Sequence, residues 1–294
     1  MKKFVIIVGP TGSGKTKLSI EVAKYFHGEI INGDSVQVYR GLDIGSAKIK
    51  MSEMMGIKHH LLDIRDPKES YSVYEFQQDV RSLLERIDFP IIVGGTGFYI
   101  NAAISNYEFI EEKRDHTFDE KYSDKSNLEI YHELLSLDPE IVIDPKNRRR
   151  ILRALEQALQ GTPRSKKQKK DEKLYHPLII YLDLPKDILM DRLWQRLEIQ
   201  LKDGFVDEVK ILKDQGIKIN AIGYREIDQY LSGDLSYDAM KVAIIKASKT
   251  LAKKQKTYFM NQMKLNVFDA LSKTLKDDVI TLIKNYVEEN HERD

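Results

Sequence analysis

Residues 9 to 16 read GPTGSGKT, and no other spacing in this chain is tied so closely to one chemistry. Glycines at these places let the backbone bend until its N–H groups point inward at phosphate oxygens, and the helix expected next adds the positive end of its dipole. Lys15 supplies a point charge, and the Thr16 hydroxyl is placed to bind Mg²⁺. The loop is therefore predicted to bind an oligophosphate through Gly9, Thr11, Gly12, Ser13, Gly14, Lys15 and Thr16.

Polar residues also follow two further predicted strands, Glu29–Asn32 and Ile91–Val93. Asp34 comes after the first, and its carboxylate could accept a proton from a nucleophile aligned against a phosphate ester, a role worth about 10²- to 10⁴-fold in rate. It could equally cap a turn or support Mg²⁺ from a distance. Thr96 is the one polar side chain in the glycine-rich turn after the second strand. Because ligands bind at the carboxyl ends of strands in open α/β sheets, both turns are expected to share a crevice with the phosphate loop.

Two arginines could add positive charge to that crevice. Arg192 and Arg196 lie four residues apart in a segment with a helical pattern, so their side chains would lie on one face. That face could clamp a diphosphate opposite Lys15. Alternatively, the arginines form surface ion pairs with Asp191 or Glu198.

Basic residues cluster at 146–153 and 246–256 without an acid, although the formal charge of the whole chain is only +1. Such blocks could bind a nucleic acid, or they could merely form a solvated helix face.

The segment AIGYRE at 221–226 could stack on a base through its tyrosine, or simply begin a helix. His59 and His60 are adjacent, so in an extended segment they point to opposite faces and are not expected to chelate one metal ion.

Short apolar strands alternate with helical patterns over the first hundred residues, which predicts βαβ units. We therefore expect an α/β fold, with a parallel sheet flanked by helices as in P-loop NTPases. From about residue 108 the sequence becomes charged and helix-favouring until a strand at Leu178–Leu184 resumes the alternation. The prediction is a core of residues 1–107 and 177–294, a helical insertion at 108–176, and a C-terminal part that is helical nearly to its end.

The composition excludes several classes of site. The chain has 294 residues and no cysteine, which removes disulfides, thiolate nucleophiles and cysteine-based zinc sites. No apolar stretch approaches the length of a membrane span, and the apolar N-terminal segment runs straight into the phosphate loop instead of ending in a signal-peptide cleavage site. We therefore expect a cytoplasmic protein.

Taken in order, the motifs resemble those of the tRNA dimethylallyltransferase family, also called tRNA isopentenyltransferases. The resemblance covers most of the chain from residue 9 to about 260. Each motif except the phosphate loop is weak alone, but so many in one order are specific. They are GPTGSGKT, DSVQVYRGLDIGSAK, HHLLD, YSVYEFQ, PIIVGGTGFYI, NRRRILRALE, GFVDEV, AIGYRE and AKKQKTYF.

The resemblance implies transfer of a dimethylallyl group from its diphosphate to the exocyclic amine of an adenine beside the anticodon. By that likeness Lys15 and Thr16 with Mg²⁺ neutralise the leaving group, Asp34 faces the attacking amine, and Thr96 lines the channel where the substrates meet. The helical insertion grips the anticodon stem. The implied tRNA contacts are Asp34, Ser35, Val36, Gln37, Arg149, Arg150 and Arg153. From their own sequence context we add Arg192 and Arg196 to the diphosphate site, and Gly223, Tyr224 and Arg225 to the tRNA contacts.

Two other enzyme classes share part of this pattern. A small-molecule kinase would also carry the loop, the acid and the arginines, but it would act on ATP. An adenylate prenyltransferase acting on free nucleotide would need neither the insertion nor the basic blocks. The expected partners are thus tRNA and dimethylallyl diphosphate, with no membrane, and we expect a monomer with Mg²⁺ as cofactor.

Overall fold

The computed structural model describes residues 2–107, 116–166 and 173–288, and the chain divides into two compact units. The first unit consists of Met1–Ile104 and Tyr175–Asp294, and the second is Ser105–Leu174. Within the insertion predicted at 108–176, residues 108–115 and 167–172 lie outside the described residues. The role of that insertion in gripping tRNA stays a prediction.

In the described part of the first unit, six parallel strands form one sheet. The strands are β1 (Val5–Val8), β2 (Glu29–Asn32), β3 (His59–His60), β4 (Pro90–Gly94), β5 (Leu178–Asp183) and β6 (Asn266–Asp269). Their order is β3-β2-β4-β1-β5-β6, so β1 lies between β4 and β5. The predicted α/β class with a parallel sheet is confirmed. Because the strands run the same way, the turns after β1, β2 and β4 meet at one edge of the sheet.

Helices flank this sheet and also build the second unit. Along the described residues they are α1 (Lys15–Phe26), α2 (Val73–Arg86), α3 (Gly97–Ile104), α4 (His116–Lys121), α5 (Asn127–Leu137), α6 (Arg148–Leu159), α7 (Lys186–Lys202), α8 (Phe205–Asp214), α9 (Tyr224–Leu231), α10 (Tyr237–Gln262) and α11 (Leu275–Glu288). A capping box begins α2, where Ser72 Oγ accepts from Glu75 N and the Glu75 carboxylate accepts from Ser72 N. No helix in the described ranges is both long and apolar enough to cross a membrane.

The expectation of a helical C-terminal part is wrong at β6. Asn266–Asp269 pairs with β5 in parallel, with Val267 opposite Tyr181. This strand has four residues, of which only Val267 and Phe268 are apolar, so no alternation or apolar run marks it in the sequence. Its conformation comes from pairing with β5, a neighbour distant along the chain.

The second unit has an apolar core of its own. Helices α5 and α6 bury one face each, and their fully buried side chains are Ile130, Leu134, Ile151, Ala154 and Leu155. Arg148, the first residue of α6, donates hydrogen bonds to the main-chain oxygens of Tyr122 and Lys125. This arginine is therefore used to hold the unit together.

Candidate active site

The phosphate loop runs from the end of β1 to the start of α1, which is the context that such a loop requires. At Gly9 the φ angle is 152°, and a Cβ would lie 2.7 Å from the main-chain oxygen of Leu182, so only glycine fits beside β5. Lys15 folds back over the loop, and its Nζ donates to the main-chain oxygens of Gly9 and Pro10, each at 2.9 Å. The loop thus positions the ammonium group through its own carbonyls.

Lys15 lies in a strongly perturbed electrostatic environment. Its pKa is lowered to about 8, chiefly by burial and then by the Arg196 cation, while Asp34 acts in the opposite direction. Burial also lowers the pKa of Arg196, and the Asp34 carboxylate again acts to raise it. Two cations and a carboxylate from α1, α7 and the turn after β2 therefore act on one another. A bound polyanion would offset the repulsion between the cations.

Two hydroxyls of the loop have different surroundings. Ser13 is 1% exposed, and among the described residues its Oγ has no hydrogen-bond partner. A buried hydroxyl in that state is uncommon, because it has given up its hydrogen bonds to water. Thr16 is exposed in the first turn of α1. Within the described ranges the loop therefore offers one buried hydroxyl without a partner and one hydroxyl that is exposed to a ligand.

Asp34 lies in a turn that its own side chain stabilises. Asp34 Oδ1 accepts from Val36 N at 2.8 Å, and Asn32 Oδ1 accepts from Asp34 N at 3.0 Å. One carboxylate oxygen thus performs the turn-capping role that the sequence left open. Within the described ranges no hydrogen bond reaches Asp34 Oδ2, and the side chain is partly exposed. The second oxygen can therefore accept a hydrogen bond or a proton from a substrate.

Thr96 joins the turn after β4 to the turn that holds Asp34. Thr96 Oγ1 accepts from Ser35 N at 3.2 Å, and Thr96 N donates to the main-chain oxygen of Gly33 at 3.2 Å. The two turns touch because Gly94 lacks a side chain, since a Cβ there would lie 2.2 Å from the Gly33 carbonyl. The geometry places Thr96 next to Asp34, with its hydroxyl bonded to the neighbouring turn.

We expect Gly94→Ala to lower the free energy of unfolding by about 3 kcal/mol, because the added methyl meets backbone, which cannot rotate away. Gly41→Ala is the matched control, since a Cβ there meets nothing within 4 Å although φ is 73°. The control should lose only about 1 kcal/mol from its left-handed backbone conformation. Urea unfolding of both variants measures the difference. Equal losses would show that the contact with Gly33 contributes nothing.

The two arginines of α7 bond to main-chain groups at the site. Arg192 Nη1 donates to the oxygen of Gly12 at 2.7 Å, and Arg196 Nη2 donates to the oxygen of Ser46 at 3.3 Å. In the part of the chain that the structure describes, neither forms an ion pair with its acidic neighbours on α7. The surface ion pairs left open by the sequence are therefore not formed, and both guanidinium groups lie at the site.

A cavity of about 310 Å³ brings several predicted site residues together. Thr11 of the phosphate loop, Asp34 and Arg196 all line it, as do Val36 and Gly223. The remaining wall is largely apolar and includes Leu193, Leu197, Phe205, Ile222, Ile244, Ile245 and Leu251. A lining that combines an acid and a cation with many apolar side chains suits a ligand that has both a charged part and a hydrocarbon part.

Tyr224 and Arg225 begin α9, so the helix-start alternative describes this segment. Tyr224 is 2% exposed, its ring packs edge-on against Phe205, and its hydroxyl donates to Glu208 at 2.6 Å. A ring buried to this extent cannot stack on a base without moving, and it forms part of the cavity wall. Contact of Tyr224 with tRNA stays a prediction. Arg225 is exposed and pairs with Glu226.

The basic residues of α6 concentrate positive charge in the second unit. Arg149 and Arg150 are exposed, whereas Arg153 is half-buried and pairs with Glu156 at 2.5 Å. The pKa of Arg164 is lowered, first by its burial and then by the cations of Arg153 and Arg150. Arg149 and Arg150 are thus the members of this cluster best exposed for contact with an anionic partner.

The adjacent histidines are used for hydrogen bonding. His60 Nε2 lies 2.5 Å from Glu29 Oε2, and His59 Nδ1 lies 2.9 Å from the main-chain oxygen of Ile57. Among the described residues no group of three or more histidine, aspartate or glutamate side chains could hold a metal ion. A metal ion at the phosphate loop would therefore depend on ligands other than such a cluster.

Two glutamines that were not among the predicted site residues line the cavity, Gln200 on α7 and Gln255 on α10. Gln200 Nε2 donates to the main-chain oxygen of Ile44 at 2.6 Å, and Gln255 Nε2 donates to that of Gly95 at 3.0 Å. Glutamine is common in helices, so no local pattern singles these residues out. Only the folded chain brings them to the site.

Comparison with known proteins decides the family. The family model described as IPP transferase matches residues 37–262. The tRNA dimethylallyltransferase of Acholeplasma laidlawii is 48% identical over 288 residues, which are 98% of this chain and 99% of that protein. The chain belongs to the tRNA dimethylallyltransferase family. The member from Onion yellows phytoplasma is 43% identical over 295 residues, again covering 98% of this chain and 99% of the relative.

Solved structures of tRNA dimethylallyltransferase relatives share the fold. The tRNA delta(2)-isopentenylpyrophosphate transferase of Staphylococcus epidermidis is 35% identical with a TM-score of 0.74, covering 97% of this chain and 100% of that one. A eukaryotic dimethylallyltransferase acting on tRNA is 25% identical with a TM-score of 0.84, covering 98% of this chain and 80% of that one. Membership of the family makes this chain a prenyltransferase and decides against the kinase alternative.

Proposed function

We propose that this protein transfers the dimethylallyl group of dimethylallyl diphosphate to the exocyclic N6 amine of the adenine adjacent to the anticodon in tRNA. The observation that carries the proposal is the cavity lined together by Asp34, Arg196 and Thr11, in a chain whose relatives are tRNA dimethylallyltransferases. Its apolar wall suits a five-carbon chain, and its charged end suits a diphosphate.

The chemistry assigns a task to each polar group. The bond between C1 of the dimethylallyl group and the diphosphate oxygen breaks, and its electron pair leaves with the diphosphate. A new bond forms between C1 and N6, and Asp34 accepts the proton that N6 loses. Because an exocyclic amine is a poor nucleophile, the rate depends on alignment and on stabilising the leaving group. Lys15, Arg192 and Arg196 supply that positive charge, and Thr96 lines the channel between the substrates.

Mg²⁺ fits this site as a cofactor. The ion keeps several waters and binds through one or two protein oxygens plus phosphate oxygens, so it needs no cage of carboxylates. The exposed Thr16 hydroxyl would hold it, and the same loop carries the buried Ser13 Oγ, which lacks a partner among the described residues. When bound, the ion would neutralise charge on the departing diphosphate.

The tRNA would be bound by both units, each through its own groups. In the first unit, Ser35, Val36 and Gln37 follow Asp34 directly and would surround the adenine, after its extrusion from the anticodon stack. In the second unit, the exposed Arg149 and Arg150 would contact backbone phosphates, which position an RNA without reading its sequence.

Prenyl transfer with labelled substrate tests the proposal. The protein is incubated with radiolabelled dimethylallyl diphosphate and Mg²⁺, with either tRNA or AMP as the acceptor. We expect label in tRNA and none in AMP. Label in AMP would indicate the adenylate prenyltransferase instead, and no label in either acceptor at saturating concentrations would overturn the proposal.

Arg149→Ala combined with Arg150→Ala should weaken tRNA binding and reduce the slope of log K against log salt by about 2, or about one for each lost phosphate contact. Lys210→Ala combined with Lys218→Ala is the charge-matched control, because both lysines are exposed in the first unit. Filter binding between low and moderate salt measures both slopes. A slope equal to that of the wild type would exclude the two arginines from the interface.

We also propose that the enzyme acts as a cytoplasmic monomer. The absence of cysteine from all 294 residues is compatible with a reducing compartment, where disulfides do not contribute to stability. Sedimentation at micromolar concentration should give a mass near 34.1 kDa. A stable dimer would contradict this proposal.

A further inference from the structure

Glu208, on α8, accepts four hydrogen bonds through its carboxylate. Oε2 accepts from Asp43 N at 2.9 Å and from Ile44 N at 2.7 Å. Oε1 accepts from Gly45 N at 3.1 Å and from the Tyr224 hydroxyl at 2.6 Å. Burial and the Glu208 charge both raise the pKa of Tyr224, so its hydroxyl stays protonated and donates. Three consecutive main-chain N–H groups and one hydroxyl thus converge on a single acid.

Residues 43–46, called here the 43–46 loop, are also held from their carbonyl side. Gln200 Nε2 donates to two of the loop carbonyls, at 2.6 and 3.0 Å. The main-chain oxygen of Ser46 accepts from Arg196 Nη2 at 3.3 Å and from Gln37 Nε2 at 3.1 Å. The loop therefore links Glu208 on one side to residues of the diphosphate and adenine sites on the other.

We propose that Glu208 is a positioning residue of the transfer reaction. It fixes the 43–46 loop, and the loop in turn orients Arg196 toward the diphosphate and Gln37 toward the adenine. Ser46 lines the 310 Å³ cavity and Glu208 does not, so on this proposal Glu208 acts on the substrates through the loop. The inference rests on the proposed prenyl transfer and adds a residue that holds both substrate sites in register.

A carboxylate is the only side-chain group that meets these four donors. It offers acceptors at both oxygens, and its charge strengthens every bond that it accepts. In Glu208→Gln, an NH₂ group replaces one of the two carboxylate oxygens, each of which accepts from two donors. Whichever way the amide is turned, two of the four donors then face the NH₂ group instead of an acceptor. The 43–46 loop must then shift, and a displacement of about 1 Å near reacting groups can lower a rate about 10²-fold.

The test measures kcat, KM for both substrates and the melting temperature of Glu208→Gln. We expect kcat to fall about 10²-fold while the dissociation constant for tRNA stays within about twofold of wild type, because the phosphate contacts are elsewhere. Asp207→Asn is the matched control, since Asp207 is the exposed neighbour on the same helix and loses the same charge. The control should keep the wild-type kcat.

A double-mutant cycle with Gln200→Ala separates positioning from simple loss of stability. If both residues act through the 43–46 loop, the double variant loses less rate than the product of the two single losses. Multiplicative losses would overturn the proposal. A Glu208→Gln variant with a lowered melting temperature and the wild-type kcat would do so as well.

Two further outcomes keep the test decisive. Should Glu208→Gln fail to fold, Glu208→Asp carries the test, because it keeps the charge but withdraws the carboxylate by one methylene group, and it must lower kcat about tenfold if the loop positions the substrates. An unchanged kcat in that variant would overturn the proposal. A wild-type protein without prenyl transfer would refute the proposed function itself, which is a different result from an active wild type with an unimpaired Glu208→Gln.

Discussion

Replacing Asp34 with Asn is expected to lower kcat for prenyl transfer about 10²- to 10⁴-fold, the contribution typical of a general base. Asn retains an oxygen that can accept from Val36 N, the bond that measures 2.8 Å in the turn. It has no carboxylate to accept the proton that N6 must lose, so the turn survives while the base is removed. Single-turnover transfer with both substrates saturating measures the effect, and filter binding should give an unchanged affinity for tRNA.

Asp34→Ala separates the two roles of this side chain. It removes the base and the turn cap together, whereas Asp34→Asn removes only the base. We expect similar losses of kcat in both variants, with a lower melting temperature in Asp34→Ala alone, because losing a local cap costs about 1 kcal/mol. A rate near wild type for Asp34→Asn would leave Asp34 with the turn-capping role only.

Much of the sheet and its phosphate loop could be predicted because their signals are local. The strands that lead into the site are short apolar runs of a buried parallel sheet, and Glu29–Asn32 is predicted with the bounds that the structure has. Ile91–Val93 is likewise predicted as a strand, and it forms the middle of the strand Pro90–Gly94. By contrast, Asn266–Asp269 becomes a strand only by pairing with β5, and its own residues do not predict it.

The walls of the site depend on contacts between distant parts of the chain, which no local pattern encodes. Arg196 could form surface ion pairs or bind a diphosphate. Among the described residues it forms no ion pair on α7 and instead donates to the carbonyl of Ser46, 150 residues away in sequence. Tyr224, between a glycine and an arginine, suits both a residue that stacks on a base and an ordinary helix start. Phe205 and Glu208 instead enclose its ring and bind its hydroxyl. Side-chain type thus indicates the chemistry, and tertiary contacts decide which residues can perform it.

Lys15→Ala is expected to lower kcat/KM about 10²- to 10³-fold, the loss typical when one preorganised donor to a developing charge is removed. Lys15 Nζ is held over the phosphate loop by two carbonyls, each at 2.9 Å, so its position is set before a diphosphate arrives. Lys15→Arg is the conservative comparison, because it keeps the charge but carries a larger, planar head group. Its loss should be smaller than that of Lys15→Ala.

The pH dependence of the wild type gives an independent check on Lys15. Its pKa in the free protein is lowered to about 8, so the ammonium form is present below that pH and is lost as the pH rises through it. Since kcat/KM reports the free enzyme, it should fall above about pH 8. A bound diphosphate favours the charged lysine and raises the pKa of Lys15, so kcat should stay level over the same range. Arginine remains protonated, and Lys15→Arg should therefore lack the fall in kcat/KM. If kcat/KM of Lys15→Arg still falls above about pH 8, another group is responsible for the titration. The pH dependence would then give no support to Lys15 as a diphosphate ligand.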